Sequence, residues 1–130
     1  MSDEKMIYTL GYNNFSFFEF RDKIKELDAL IIDVRYNPSS YNPFWNKKYL
    51  QESFHASYIH VPELGNKNYA HPDKEFDIVD IEAGSRVVRE YLDLGMNCLL
   101  LCACEDFEKC HRYSISQYIA EKENIQVINL

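Results

Sequence analysis

Glycine and proline are scarce in this chain, four of each in 130 residues. So few breakers argue against a linker-rich or disordered polypeptide. Cationic residues are also in the minority: 14 Lys and Arg stand against 21 Asp and Glu, a formal net charge of -7. Extended binding to a nucleic-acid backbone needs clustered positive charge and is not expected, whereas a small pocket for one phosphate or one nucleotide is compatible with that balance. No apolar run approaches the ~20 residues of a membrane span, so no membrane partner is expected. The opening, MSDEKMIYTL, lacks a basic segment followed by an apolar core. No secretion signal is read there, and a cytoplasmic setting is expected. The four cysteines are then read as reduced thiols. Repeats, low-complexity tracts and interdomain linkers are lacking too, so residues 1–130 read as a single domain able to bury a core without disulfides or a structural metal.

What is present alternates in type. KMIYTLGY reads as a first strand ending at Gly11. In the next segment Ser16 and Glu19 form a capping-box pattern, and Phe17, Phe20, Ile24 and Leu27 recur at helical spacing. ALIIDVR is a nearly unbroken apolar run, as a strand covered on both faces requires. Residues 36–54 hold two Asn-Pro turns and many aromatics, an ordered loop with a short helix near its end. SYIHVPEL is a further strand and GNKNYAHPDKEF a further loop. A helix is predicted from about Asp77 to Leu94, stopped by Gly95. NCLLLCAC is a buried strand, EDFEK a loop, HRYSISQYIAEK a helix and IQVINL a closing strand. The alternation predicts an α/β fold, a three-layer sandwich with a mostly parallel central sheet. Ligands of such sheets bind beyond the carboxyl ends of the strands. The loops after Tyr12, Arg35, Pro62 and Cys104 are expected to meet there.

The chemistry-bearing stretch is LCACEDFEKCHRYS, residues 101–114. Its C-x-C, five residues, C-H spacing differs from the paired knuckles of zinc sites. It also contains no C-x-x-C redox pair. Buried or reactive thiols are favoured over metal ligands, and neither a metal nor a cofactor is expected. Cys98 and Cys102 are read as core residues of the strand. Cys104 falls at the strand's mouth and Cys110 at a helix start, where free N–H groups lower a thiol pKa and hold anions. Cys110, His111 and Arg112 thus read as a thiolate or anion site. An alternative is that Cys110 packs, His111 caps the loop and Arg112 pairs with Glu105, Asp106 or Glu108. Asp33, on an apolar strand, needs a partner. Arg35 has a donor fork suited to phosphate or carboxylate. His60 is placed on the solvated or site-facing side of its strand, and Glu63 is a candidate for orienting a substrate or acting as an acid or base.

The segments YTLGYNNFSFFEF, LIIDVRYNPSS, YIHVPELG and LLLCACEDFEKCHR resemble, in order, those of domain-of-unknown-function family 488. The resemblance covers almost the whole chain, and the CHR element is its most specific part. The family's T-I-G-Y-type motif falls on residues up to Tyr12 and Asn13. Its D-V-R element falls on Asp33 and Arg35, P-x-S on Pro38 with Ser40 (or Ser39), E-L-G on Glu63 to Gly65, and C-H-R on Cys110 to Arg112. Where the family often has C-A-E, this chain has CACE. The resemblance implies a compact cytosolic α/β protein and no particular reaction. A weaker, architectural likeness is to rhodanese-like domains, but the loop EDFEKC has no glycine and three acidic residues, unlike an anion cradle.

Two functions follow. One is an enzyme acting on a small anionic or nucleotide-like substrate. Its candidate catalytic residues are Cys110, His111, Cys104 and Glu105, and its candidate binding residues are Arg35, Arg112, Tyr12, Asp33, Ser40 and Glu63. The other is a non-catalytic module that binds a ligand or partner through the same pocket and the aromatic loop 36–49. No oligomeric state is indicated.

Overall fold

A computed structural model describes residues 5–71, 73–104 and 110–130. Five strands form one sheet: β1 (Met6–Gly11), β2 (Ala29–Asp33), β3 (Tyr58–His60), β4 (Asn97–Cys102) and β5 (Gln126–Asn129), in the order β3-β2-β4-β1-β5. Every pairing is parallel, so the expected sheet is realised without an antiparallel strand. Helices α1 (Phe17–Leu27), α2 (Lys47–Phe54), α3 (Ile81–Asp93) and α4 (His111–Glu123) supply the crossovers.

Alternation along β2 and β4 explains their apolar sequences. Leu30, Ile32, Cys98, Leu100 and Cys102 pack on one face with Val88 and Leu92 of α3 and Ile115 and Ile119 of α4. Ala29, Ile31, Leu99 and Leu101 pack on the other with Phe17, Phe20 and Ile24 of α1 and Leu50 of α2. Both faces are covered, giving three layers and leaving no solvent side for polar residues. Burial pushes the Cys98 thiol up to about 12, which fits a core role.

The chain leaves β1 and β2 through α1 and α2 on one face, toward β3. It leaves β3 and β4 through α3 and α4 on the other face, toward β5. Adjacent strands β2 and β4 therefore send their connections to opposite sides. A crevice at their carboxyl ends is the topological consequence, and it is where such sheets place ligands.

Helix α1 begins with the full capping box: Ser16 Oγ accepts from the Glu19 N–H, and the Glu19 carboxylate accepts from the Ser16 N–H. Helix α3 starts later than the predicted Asp77. The Asp77 N–H is given to Asn66 Oδ1, which keeps that stretch in the preceding loop, and Asp80 caps the helix by accepting from the Ala83 N–H.

Candidate functional site

The crevice is a cavity of about 260 Å³. Its first wall comes from the segment after β2: Arg35, Tyr36, Asn37 and Ser39. Its floor comes from the end of β4 and the start of α4: Cys102, Ala103, Cys104 and His111. Tyr12 contributes from the turn after β1. The remaining wall is the loop between β3 and α3, with Asn66, Tyr69, His71, Lys74 and Phe76 among its residues. Asn66, itself buried, folds that loop by accepting from the Asn68 and Asp77 N–H groups.

Arg35 is the cavity's buried cation. Its Nε and Nη2 donate to the two Asp33 oxygens at 2.8 and 2.7 Å, a bidentate ion pair. Its backbone N–H also donates to Asp33 Oδ1, and the Tyr58 hydroxyl donates to Asp33 Oδ2. Burial works against the Arg35 charge, but the Asp33 hydrogen bonds and charge outweigh it and hold the guanidinium above its ordinary range. Burial, then the Asp33 charge, push the Tyr58 phenol above its own range. Arg35 lies 5.4 Å over the Tyr12 ring, which stacks on Trp45 at 4.6 Å. Ring nitrogen Nε2 of His60 meets the Arg35 carbonyl at 2.7 Å. The orientation of Arg35 is thus fixed by Asp33 beside it, Tyr12 beneath it and His60 at its backbone. One nitrogen is left over: Nη1 is buried and has no hydrogen-bond partner among the described residues.

At the floor, sulfur and imidazole converge. Sγ of Cys102 lies 3.8 Å from Sγ of Cys104 and 3.9 Å from Nδ1 of His111. Sγ of Cys110 lies 3.9 Å from the same Nδ1. His111 Nε2 meets the Val34 carbonyl at 2.8 Å. A carbonyl can only accept, so Nε2 carries a proton, and Nδ1 is the ring nitrogen that faces the thiols. Hydrogen bonding from Cys104, then Cys110, holds the Cys102 thiol well below its ordinary value despite burial. The Cys104 thiol is pushed up to about 11, chiefly by Cys102, and Cys110 is driven up by Cys102, Cys104 and burial. For His111, burial pulls the value down and the bond to Cys102 more than restores it.

The sequence candidates divide accordingly. Tyr12, Arg35, Cys104 and His111 line the cavity. Asp33 is fully buried and acts through Arg35. Cys110 caps α4 from behind the floor, completely buried. Arg112 is buried away from the lining, where Nη1 donates to the Cys104 carbonyl at 3.0 Å. Ser40 lies outside the lining and helps build the 36–49 segment, donating its N–H to Asn46 and accepting from the Asn42 N–H. Glu63 is exposed on the turn after β3 and is not a lining residue. Glu105, with Asp106 and Glu108, lies outside the described residues. Most of the aromatic loop packs on α1, with Trp45 and Phe44 against Phe17. Only Tyr36, Asn37 and Ser39 from its start reach the cavity.

Two glycines permit this assembly. A Cβ on Gly11 would lie 1.5 Å from the Cys104 carbonyl oxygen and 2.9 Å from Arg112 Nη1. A Cβ on Gly65 would lie 2.5 Å from the Tyr36 Cα. The wall contributed by Tyr69, His71, Lys74 and Phe76 escapes sequence reasoning. The only local signal is a polar loop carrying one histidine and two aromatics between a strand and a helix.

The D-V-R, E-L-G and C-H-R segments thus build one strand edge: a clamped arginine, a glycine under a neighbouring loop, and a helix cap with its first turn. No curated protein and no solved structure matches the chain. The model of one family, described as a domain of unknown function, DUF488, matches residues 17–119. That match runs from the start of α1 almost to the end of α4, and the chain belongs to the DUF488 family.

Proposed function

We propose that this protein binds a small anionic or nucleotide-like ligand in the cavity between the ends of β2 and β4, and acts on it as an enzyme at the cysteine–histidine floor. The carrying observation is Arg35 Nη1, a buried cationic donor with no partner among the described residues. A buried donor left unsatisfied is costly, and an anionic oxygen is the acceptor that relieves it most. Asp33 occupies Nε and one N–H of Nη2, so the N–H groups of Nη1 are the ones left for the ligand. Lys74 and His71 add donors on the facing wall. Tyr36 and Tyr69, with ring centroids 5.8 Å apart, and Tyr12 offer π surfaces to a flat ring. The volume falls just under the ~300–1,000 Å³ usual for small-molecule sites, which favours a mononucleotide or smaller ligand over a dinucleotide. Cys104 is the lining thiol nearest solvent, connected through Cys102 to His111 as the proton partner, and Arg112 positions the Cys104 carbonyl.

A thermal-shift panel of orthophosphate, pyrophosphate and nucleoside monophosphates tests the reading. At least one probe should raise Tm in the parent protein. The rise should vanish in Asp33→Asn/Arg35→Gln, which replaces the ion pair with a neutral polar pair. The exposed-wall variant Tyr69→Ala should weaken nucleotides more than orthophosphate. A panel without any shift, or one unchanged in both variants, would overturn it.

The second reading, a non-catalytic binding module, is favoured by the thiols themselves. Cys110 is sealed off, and Cys104 at about 11 is protonated near neutral pH and so a poor nucleophile. Alkylation with iodoacetamide separates the two. Fast labelling of one cysteine, blocked by the probe, supports the enzyme. Binding that persists in Cys104→Ser, with slow labelling throughout, supports the module.

A further inference from the structure

We propose that Cys102, Cys104, Cys110 and His111 are the ligands of one divalent metal ion of the zinc class. The four come from β4, the turn after it, the cap of α4 and its first residue, so only the folded chain assembles them. The ligand atoms of Cys102, Cys110 and His111 all lie within 4.8 Å of one another. Cys104 stands outside that mutual 4.8 Å set but within 3.8 Å of Cys102, and its half-exposed side chain turns inward to become the fourth ligand. A tetrahedral ion with metal–sulfur bonds of about 2.3 Å has sulfur–sulfur edges of about 3.8 Å. The 3.9 Å sulfur–nitrogen separations need only a slight contraction to close on the same centre.

Histidine orientation is the second, independent observation. His111 donates Nε2–H to the Val34 carbonyl at 2.8 Å, so Nδ1 is the nitrogen left to ligate, and it points at the sulfurs. That arrangement, with the outer nitrogen held by a backbone acceptor, is how ligating histidines are fixed. Three thiolates and an imidazole form a soft donor set that selects zinc over magnesium or calcium. Thiols still protonated release their protons to solvent as their sulfurs take the ion. With four protein ligands the coordination is closed, which is the pattern of a structural site. The ion would tie Cys104 and Cys110 together across residues 105–109 and fix the floor of the cavity. With the ion bound the sulfurs act as ligands rather than nucleophiles, which favours the binding-module reading of the cavity over the thiol enzyme. The inference stands apart from the anion contact at Arg35, which needs no metal.

Cobalt(II) titration of reduced, metal-free full-length protein under argon tests the site. The expected result is the intense visible spectrum of tetrahedral cobalt with a thiolate charge-transfer band, saturating at one equivalent per chain and displaced by zinc. Protein purified without a chelator should carry one zinc by native mass spectrometry. Cys104→Ser, at the half-exposed ligand, should lower the charge-transfer intensity by about a third, one sulfur of the three-sulfur set, while Cys98→Ala leaves the spectrum unchanged. Weak octahedral cobalt bands in the parent, or an unaltered spectrum in Cys104→Ser, would overturn the site. So would a Cys102–Cys104 disulfide that, once reduced, still leaves a protein that takes no metal.

Discussion

Asp33 carries most of the site's organisation without lining it. It accepts from Arg35 and Tyr58 in a fully buried position. Removing one member of such a pair strands the other charge, so Asp33→Ala should cost about 3–5 kcal/mol in urea unfolding. The neutral pair Asp33→Asn/Arg35→Gln should cost less, because no lone charge remains. Tyr58→Phe removes a hydrogen bond to a charged acceptor and should cost about 1.5–3 kcal/mol. The pH dependence has a definite sign. The Tyr58 phenol is held above its ordinary value of 10.0 in the folded protein. Above that value the unfolded chain loses the proton while the folded chain keeps it, so stability falls as pH rises through the alkaline range. In Tyr58→Phe that part of the alkaline decline should disappear. The sequence showed that Asp33 needed a partner and that Arg35 suited an anion. It left open that the two pair with each other, because a strand's alternation does not say whether residues i and i+2 both face inward at a strand's end.

Among the elements, α1 and the exit of β1 make the sharpest predictions. The Ser16–Glu19 capping box is complete, so Ser16→Ala should cost about 1 kcal/mol. Glu19 is held below its ordinary value, chiefly by the Ser16 backbone N–H. Its contribution is present at neutral pH and is lost as pH falls through that lowered value, and Glu19→Gln should flatten the acid side of the stability profile. Gly11→Ala drives a methyl into the Cys104 carbonyl. Because backbone is the obstacle, the cost should reach or exceed the ~1–3 kcal/mol usual for overpacking, and the floor should shift with it. The strands, α1 and α4 were legible because each is fixed by local pattern: unbroken apolar runs, a capping box, and Ile115, Tyr118 and Ile119 at helical spacing. The onset of α3 was not, because Asn66, eleven residues upstream of Asp77, decides it. The sulfur cluster was not legible either. The spacing of Cys102, Cys104 and Cys110 resembles no knuckle, and their approach depends on β4 ending at Cys102 and α4 returning to it.

Across the molecule, a parallel sheet covered on both faces leaves its carboxyl edge as the place where polar side chains can gather around buried space. This chain uses the β2–β4 crevice for that purpose. No helix among the described residues is long and apolar enough to cross a membrane. With a net charge of -7 the surface repels polyphosphate chains, so a duplex oligonucleotide should not bind at physiological salt under conditions where a nucleoside monophosphate does. Filter binding against isothermal titration calorimetry checks that contrast. Arg35 Nη1 is proposed to receive an anionic oxygen of the ligand. A crystal structure grown with the best probe of the thermal-shift panel tests it most directly. The expected result is an anionic oxygen within hydrogen-bond distance of Arg35 Nη1, with the Asp33 pair intact. An anion bound elsewhere on the surface, with the Arg35 cavity holding only water, would contradict it.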